Sequence, residues 1–431
     1  MKSFEELKKK LLASKFFKDS FWAVFGNGIG NALLMLSGIL IARFLGKDLY
    51  GEYGLVKTTM FYVAAFSTFG LGYTSTKWIS EYKSVDETKV RSIAIDAMKI
   101  SLISSATLAL LLIIFAPLLA SYIGEPSLSI AFRFLGIIII CRACSTTASG
   151  IMAGLGMFKT IAYNSMYAGL VMSCVCVPLT YFWGIKGALL SLSLSQIFNA
   201  FVNIISVKGE LSKFLDQTRD FFTKRLLTFS FPVALQELSY TLCNWGSMLM
   251  LTKWSSLGEV GIYTASSQWN AIILFVPGLL SNVMLSHLSQ DTYNQERHKK
   301  TVNMMLLVNL MCTLLPFIIF YILTPWIVTF YGQTFVGMKT VMRVLVFGTI
   351  FTCLSSVLSN ELIALGKTWV LFCLRFIRDM SNLVGSYFVL HYFSTGEQAL
   401  NIAWLNVLVG GTFFLLMYLI AKYESRFIKL L

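Results

Sequence analysis

Ala153-Gly154-Leu155-Gly156 returns 210 residues later as Ile363-Ala364-Leu365-Gly366. At the same displacement Phe132-Arg133-Phe134-Leu135 returns as Met342-Arg343-Val344-Leu345, and Arg43 returns as Lys253. Tyr50-Gly51-Glu52-Tyr53 is echoed by Val260-Gly261-Ile262-Tyr263, with the preceding Leu45-Gly46 and Leu257-Gly258 slipped by two residues. Each match alone is weak, because Leu and Gly are common in apolar chains. Held in one register, they mark a duplication. The fold is therefore what one half makes, made twice.

What one half makes follows from its apolar runs. Of 431 residues 56% are hydrophobic and 13% charged, with mean hydropathy +0.71. A soluble domain carries about 25% charged residues, so half the expected charge is missing. That composition excludes a cytosolic enzyme, a secreted disulfide scaffold and a disordered chain. A bilayer core of about 30 Å takes about 20 apolar residues per helix. Windows of that length centre near Leu33, Ala64, Leu108, Ile138, Met172 and Leu194, then near Leu242, Ile273, Leu314, Val346, Leu383 and Leu408. We therefore expect an all-α polytopic membrane protein of about twelve transmembrane helices. The divisions are a cytoplasmic amphipathic segment 1–19, an N-terminal six-helix bundle 20–207, a cytoplasmic linker 208–225, a C-terminal six-helix bundle 226–421 and a cytoplasmic tail 422–431.

Charge sets the orientation. The +14 balance comes from 35 basic and 21 acidic residues. Counted by side, 24 Lys and Arg fall with the N-terminus, and 8 on the opposite side. Positive residues stay inside, so both termini are expected in the cytoplasm. The excess then faces anionic lipid and does not imply nucleic acid. Phe4, Leu7 and Leu11 share a helical face against Lys8, Lys9 and Lys10, the pattern of an interfacial helix. An even number of spans per half makes the repeat parallel. Two parallel bundles around a central cavity is an arrangement that rocks between inward and outward states.

Polar groups within spans are costly, at about 2.5–3.5 kcal/mol or more for a charge, and need partners or water. Arg375, Arg378 and Asp379 stand at i, i+3 and i+4 on one face, where Asp379 neutralises one of the two arginines. Arg142 lies deep in the fourth span with no carboxylate on its own helix. Lys57, Arg43 and Lys253 sit toward the outer mouth. This ladder favours an anionic substrate, since Arg meets phosphate oxygens bidentately. Asn27 and Asn31 continue the polar theme in the first span, although Gly26, Gly28 and Gly30 also suit close helix packing. Glu237 and Asp379 are the candidate coupling groups for H+ or Na+. Gln196, Asn199 and Asn203 in the sixth span suit interhelical hydrogen bonding. Asp96 and Lys99 read as an i, i+3 ion pair, and His287, His298 and His391 as surface residues. Eight cysteines lie in apolar stretches and pack as small hydrophobes; Cys141 and Cys144 have no second pair or histidine to complete a metal shell. No metal or cofactor is expected.

Ile41-Ala42-Arg43-Phe44-Leu45-Gly46, followed by Tyr50-Gly51-Glu52-Tyr53-Gly54-Leu55, resembles the loop after the first helix of Wzx-type polysaccharide repeat-unit flippases. These belong to the superfamily of multidrug, oligosaccharidyl-lipid and polysaccharide exporters. Phe229-Ser230-Phe231-Pro232 and the Gly258 to Tyr263 stretch resemble the second half of the same family. The resemblance implies translocation of an undecaprenyl-diphosphate-linked oligosaccharide, of O-antigen or capsule type, across the bacterial cytoplasmic membrane by alternating access. Lys57, Arg142, Arg375 and Arg378 would meet the diphosphate, while the prenyl tail stays in lipid. A polysaccharide polymerase and chain-length regulator are the partners it implies. A cation-coupled multidrug antiporter is the alternative. A membrane glycosyltransferase or polymerase is a lesser one, because the outer acids Asp48, Glu52, Glu125, Glu259 and Glu397 form no catalytic constellation.

Overall fold

The structure, a computed structural model, describes residues 15–126, 128–214, 222–275, 277–278, 288, 295–365, 367–393 and 396–427. Among them are eleven α-helices and no strand. They are α1 (Lys15–Ser67), α2 (Leu71–Val85), α3 (Val90–Ile123), α4 (Leu128–Gly154), α5 (Phe158–Leu211), α6 (Thr223–Trp254), α7 (Leu257–Ile273), α8 (Gln295–Tyr331), α9 (Met338–Ala364), α10 (Thr368–Tyr392) and α11 (Gln398–Phe427). The N-terminal amphipathic stretch through Phe4, Leu7 and Leu11, the side chain of Asn27, and His287 lie outside the described residues.

Helix count and span count differ for a local reason. α1 and α5 each run past a glycine with positive φ, Gly46 (72°) and Gly184 (55°), so each holds two spans joined without a loop. Only glycine takes such an angle at little cost. Eleven of the expected span centres fall within these helices, and Ile273 is the last residue of α7. Seven helices meet a length-and-apolarity standard for crossing a membrane. Ends are built conventionally: α3 stops at Gly124 (φ 88°), whose N–H bonds Ala120 O at 3.1 Å.

The duplication appears in the helix bounds. α4 spans Leu128–Gly154 and α9 spans Met338–Ala364, each 27 residues long and displaced by 210 at both ends. Two compact units are present. One takes the described part of Met1–Phe44 with Val56–Thr241; the other takes Leu45–Leu55 with Leu242–Leu431. In the first, α4 packs on α2, α3 and α5; in the second, α9 packs on α7, α8 and α11. These two are the central helices: 50% of the α4 window and 56% of the α9 window are buried, against 28% or less in the other spans.

Within the second unit, the segment of α1 between Lys47 and Gly54 crosses α7 at its glycines. A methyl group on Gly51 would overlap the Leu257 carbonyl and stand 3.0 Å from Gly261 N. One on Gly261 would overlap the Lys47 carbonyl and stand 3.1 Å from Gly51 N. Lys47 pairs with Leu257 and Gly51 with Gly261 at the same displacement of 210. The crossing is therefore reciprocal, as an isologous contact is. The glycines noted in sequence are the points where two backbones touch.

Other packing matches or corrects the sequence reading. Gly30 meets α5 closely, where an added Cβ would lie 2.8 Å from Ser165 O; this is the close helix packing expected of the first span. Asp96 does not spend its carboxylate on Lys99. Its Oδ2 accepts from Phe222 N (2.8 Å) and Thr223 Oγ1 (3.2 Å), capping the start of α6. His298 is buried, not at the surface, with Nε2 3.6 Å from Glu361 Oε1. His391 is exposed as expected and stacks on Tyr387. Cys174 and Cys373 are exposed rather than packed inside.

Candidate functional site

In the first unit the candidate residues gather on α1, α4 and α5. Arg142 stands mid-way along α4, its guanidinium 4.8 Å above the Phe61 ring, a cation–π contact. Nη1 reaches Gln196 Oε1 on α5 at 3.4 Å. No carboxylate of the described residues pairs with it, and its remaining N–H groups are not sealed from accessible space. Phe61 lies one helical turn beyond Lys57, so Lys57 shares the face that approaches Arg142. Lys57 is half-buried. A cation with its face on an aromatic ring and its edge open is arranged to receive an anion.

The polar stripe of the sixth span divides into two roles. Asn203 Nδ2 donates to Ser145 Oγ at 2.8 Å, and Asn203 Oδ1 accepts from Asn164 Nδ2 at 2.8 Å. Asn199 and Ser149 complete the network at 3.3 Å. These groups tie α4 to both parts of α5, the interhelical bonding expected for the stripe. Gln196, one turn earlier, instead serves Arg142. Sequence reading assigned Gln196 to the glue and missed Phe61 altogether. The signal available was the i, i+4 spacing of Lys57 and Phe61.

In the second unit the arrangement differs. Arg378 Nε and Nη2 both donate to Asp379 Oδ1, at 2.9 and 2.7 Å. Asp379 is 3% exposed. The guanidinium lies 5.1 Å over the Phe413 ring of α11. α6 runs beside this pair: Ser386 Oγ bonds Ser247 Oγ at 3.1 Å, and Leu383 fills the space over Gly246. Arg375, one turn before Asp379, is half-buried. So Asp379 takes Arg378, its chain neighbour. Lys253 is exposed, with Nζ 5.7 Å from the Trp254 ring. Arg43 and Asn31 are exposed, and Glu237 is half-buried on α6. Arg343 packs its guanidinium 4.4 Å over Tyr321.

This geometry has recognisable relatives. The chain is 21% identical over 364 residues to a Shigella flexneri protein provisionally named an O-antigen transporter, covering 81% of this chain and 85% of that one. Among solved structures, a multidrug resistance MATE transporter of the MOP superfamily in its inward-facing conformation aligns with TM-score 0.79. It has 15% identity and covers 92% of this chain and 96% of that chain. The lipid II flippase MurJ in an inward closed conformation aligns with TM-score 0.74 and 17% identity, covering 94% and 87%. At such identities the likeness shows a shared fold, that of twelve-helix MOP transporters; the seven helices long and apolar enough to cross a membrane make the chain a multi-pass membrane protein. The family described as polysaccharide biosynthesis protein matches residues 16–285, well over half the length, and the chain belongs to that family.

Proposed function

We propose that this protein is a flippase that moves an undecaprenyl-diphosphate-linked oligosaccharide from the inner to the outer leaflet of a bacterial cytoplasmic membrane by alternating access. The observation that carries the reading is Arg142: a membrane-embedded guanidinium whose face rests on Phe61 and whose edge is given to no carboxylate among the described residues. A diphosphate supplies the bidentate oxygens that edge lacks. Lys57 stands one turn from Phe61 and adds a second positive charge. Arg375, Arg378, Arg43, Lys253, Asn27 and Asn31 are the further contacts along the path. Glu237 and Asp379 are the candidate coupling groups for H+ or Na+. The bundles 20–207 and 226–421, joined by the linker 208–225, are the two moving bodies, with both termini in the cytoplasm. The Shigella relative's name, the lipid II flippase among the structural neighbours and the family's description support the same substrate class.

Arg142→Ala tests this directly. It is expected to cut transfer of a fluorescent lipid-diphosphate sugar in proteoliposomes on the order of a hundredfold, at normal membrane insertion. Arg142→Lys keeps the charge without the fork and is expected to fall between. Wild-type transfer by Arg142→Ala would remove the anion-binding assignment. The multidrug antiporter reading would use acids within the spans to meet a cationic drug, a place that Arg378 already holds at Asp379. Ethidium efflux by the wild-type protein would revive it.

A further inference from the structure

The seam between α8 and α9 is fastened at four levels along its length. From the cytoplasmic end outward these are His298 with Glu361, Asn309 with Cys353 (Sγ to Oδ1 3.4 Å), Phe317 with Phe347 (6.1 Å between rings), and Tyr321 with Arg343. Three of these fasteners keep one charge state under physiological conditions. The first holds a histidine, a side chain type whose charge ordinarily changes between about pH 5 and 8.

His298 is 9% exposed, and neither ring nitrogen has a hydrogen-bond partner among the described residues. A neutral imidazole there leaves a buried donor and a buried acceptor unsatisfied, which is costly. A protonated one places a positive charge 3.6 Å from the Glu361 carboxylate, itself 9% exposed. The pair sits at the end of the apolar cluster of Val302, Leu358, Leu362, Leu371, Phe413 and Met417, where water competes little. The other charged side chains described at the cytoplasmic ends of the elements packed here are Lys299 and Lys300 on α8, Lys367 before α10 and Lys422 on α11.

The first unit shows that the fold does not require such a pair. Displaced by 210, the positions of His298 and Glu361 are held by Thr88 and Ile151. The corresponding seam, α3 with α4, is tied by Thr147 Oγ1 to Ser101 Oγ at 2.9 Å. The second unit alone has placed a titratable pair at this point.

We propose that His298 and Glu361 form a proton-operated fastener, closing the cytoplasmic ends of α8 and α9 when the imidazole is charged and releasing them when it is neutral. Linkage fixes the sign: a seam that binds a proton more tightly when closed is tightened as pH falls and loosened as pH rises. Cytoplasmic pH then becomes an input to the second unit, separate from any group that meets substrate.

The test is hydrogen–deuterium exchange of the full chain in nanodiscs, with rates normalised to intrinsic exchange at each pH. The first turns of α8 and the last turns of α9 are expected to exchange about tenfold more slowly at about pH 6 than at about pH 8. The α3–α4 seam is expected to behave alike at both. His298→Gln should be fast at both values, His298→Lys slow at both, and Glu361→Gln insensitive to pH. Equal protection of the wild-type α8–α9 seam at the two pH values overturns the proposal without any variant. A pH difference that survives in His298→Gln overturns it as well. A variant that fails to fold is recognised by lost protection in α3–α4, and the wild-type comparison then decides.

Discussion

Arg142 and Arg378 show one residue type put to two uses in two units of common descent. In the first unit the guanidinium rests on Phe61 and touches Gln196 at 3.4 Å, keeping its charge. In the second it rests on Phe413 and gives two N–H groups to Asp379. Both cations are shelved on a ring; only one is neutralised. The two are not equivalents in the repeat, since at the 210-residue displacement Arg142 corresponds to Thr352 and Arg378 to Ala168; each unit has placed its arginine on its own, and only the second supplies a carboxylate.

The sharpest way to break this comparison is to remove the carboxylate. Asp379→Ala leaves Arg378, whose side chain is 25% exposed, without its counter-charge. The expected cost is about 3 kcal/mol, the low end for breaking a buried pair because the arginine is partly wet. Replacing both Arg378 and Asp379 by methionine should restore most of that loss. In the first unit Gln196→Ala is expected to cost well under 1 kcal/mol, since a long neutral bond is all it removes. Equal costs for Asp379→Ala and Gln196→Ala in denaturant unfolding would mean that the two arginines are held alike.

The glycine crossing offers a symmetric version of the same test. Gly51→Ala and Gly261→Ala each drive a methyl group into a backbone carbonyl that cannot rotate away. Overpacking of this kind costs about 1–3 kcal/mol, and the two values should agree within about 0.5 kcal/mol because the contact is reciprocal. A large inequality in thermal shift would show that one side yields and the other does not.

A smaller effect is expected from Asn203→Ala, which removes the hub between Ser145, Ser149, Asn164 and Asn199. Polar bonds between membrane helices are worth about 0.6 kcal/mol on average, with a maximum near 1.7, so about 1–1.5 kcal/mol is expected for several at once. Transport per folded molecule should be unchanged, in contrast to Arg142→Ala, if this network only joins helices.

How far the sequence carried the fold depends on what each feature is made of. Span positions and the duplication are local or periodic properties of the chain, so they read directly; the 210-residue register even predicts that α4 and α9 share both boundaries. Gly51 and Gly261 were visible as an echo, but not as a contact. What could not be read is which way a helix turns about its axis. His298 looks like a surface residue from its lysine neighbours Lys299 and Lys300, yet packs inward because Glu361, 63 residues on, arrives beside it. One cue was available in retrospect: Glu361 stands where the first half has Ile151, an acid at a position the repeat treats as apolar. Phe61 escaped for a similar reason, since an aromatic residue in a membrane span is ordinarily packing.

Asp96 gives the smallest effect and the plainest test of rotation. Read along the chain, Asp96 and Lys99 are an i, i+3 pair, worth about 0.2–0.5 kcal/mol on a helix surface. Read in space, Asp96 is 7% exposed and bonds Phe222 N and Thr223 Oγ1, meeting the unpaired N–H groups and positive dipole end of α6. The two readings separate cleanly. Asp96→Ala should cost about 1 kcal/mol, the usual loss for a helix cap, whereas Lys99→Ala should cost nothing measurable. Asp96→Asn keeps an acceptor without the charge and should retain about half of the stabilisation. The second unit has Leu306 at the equivalent position, so Leu306→Asp offers no cap to gain and should destabilise. If Asp96→Ala and Lys99→Ala are equally mild in urea unfolding, the carboxylate is not holding α6, and the start of that helix is set by the apolar contacts of Phe222 and Leu226 alone.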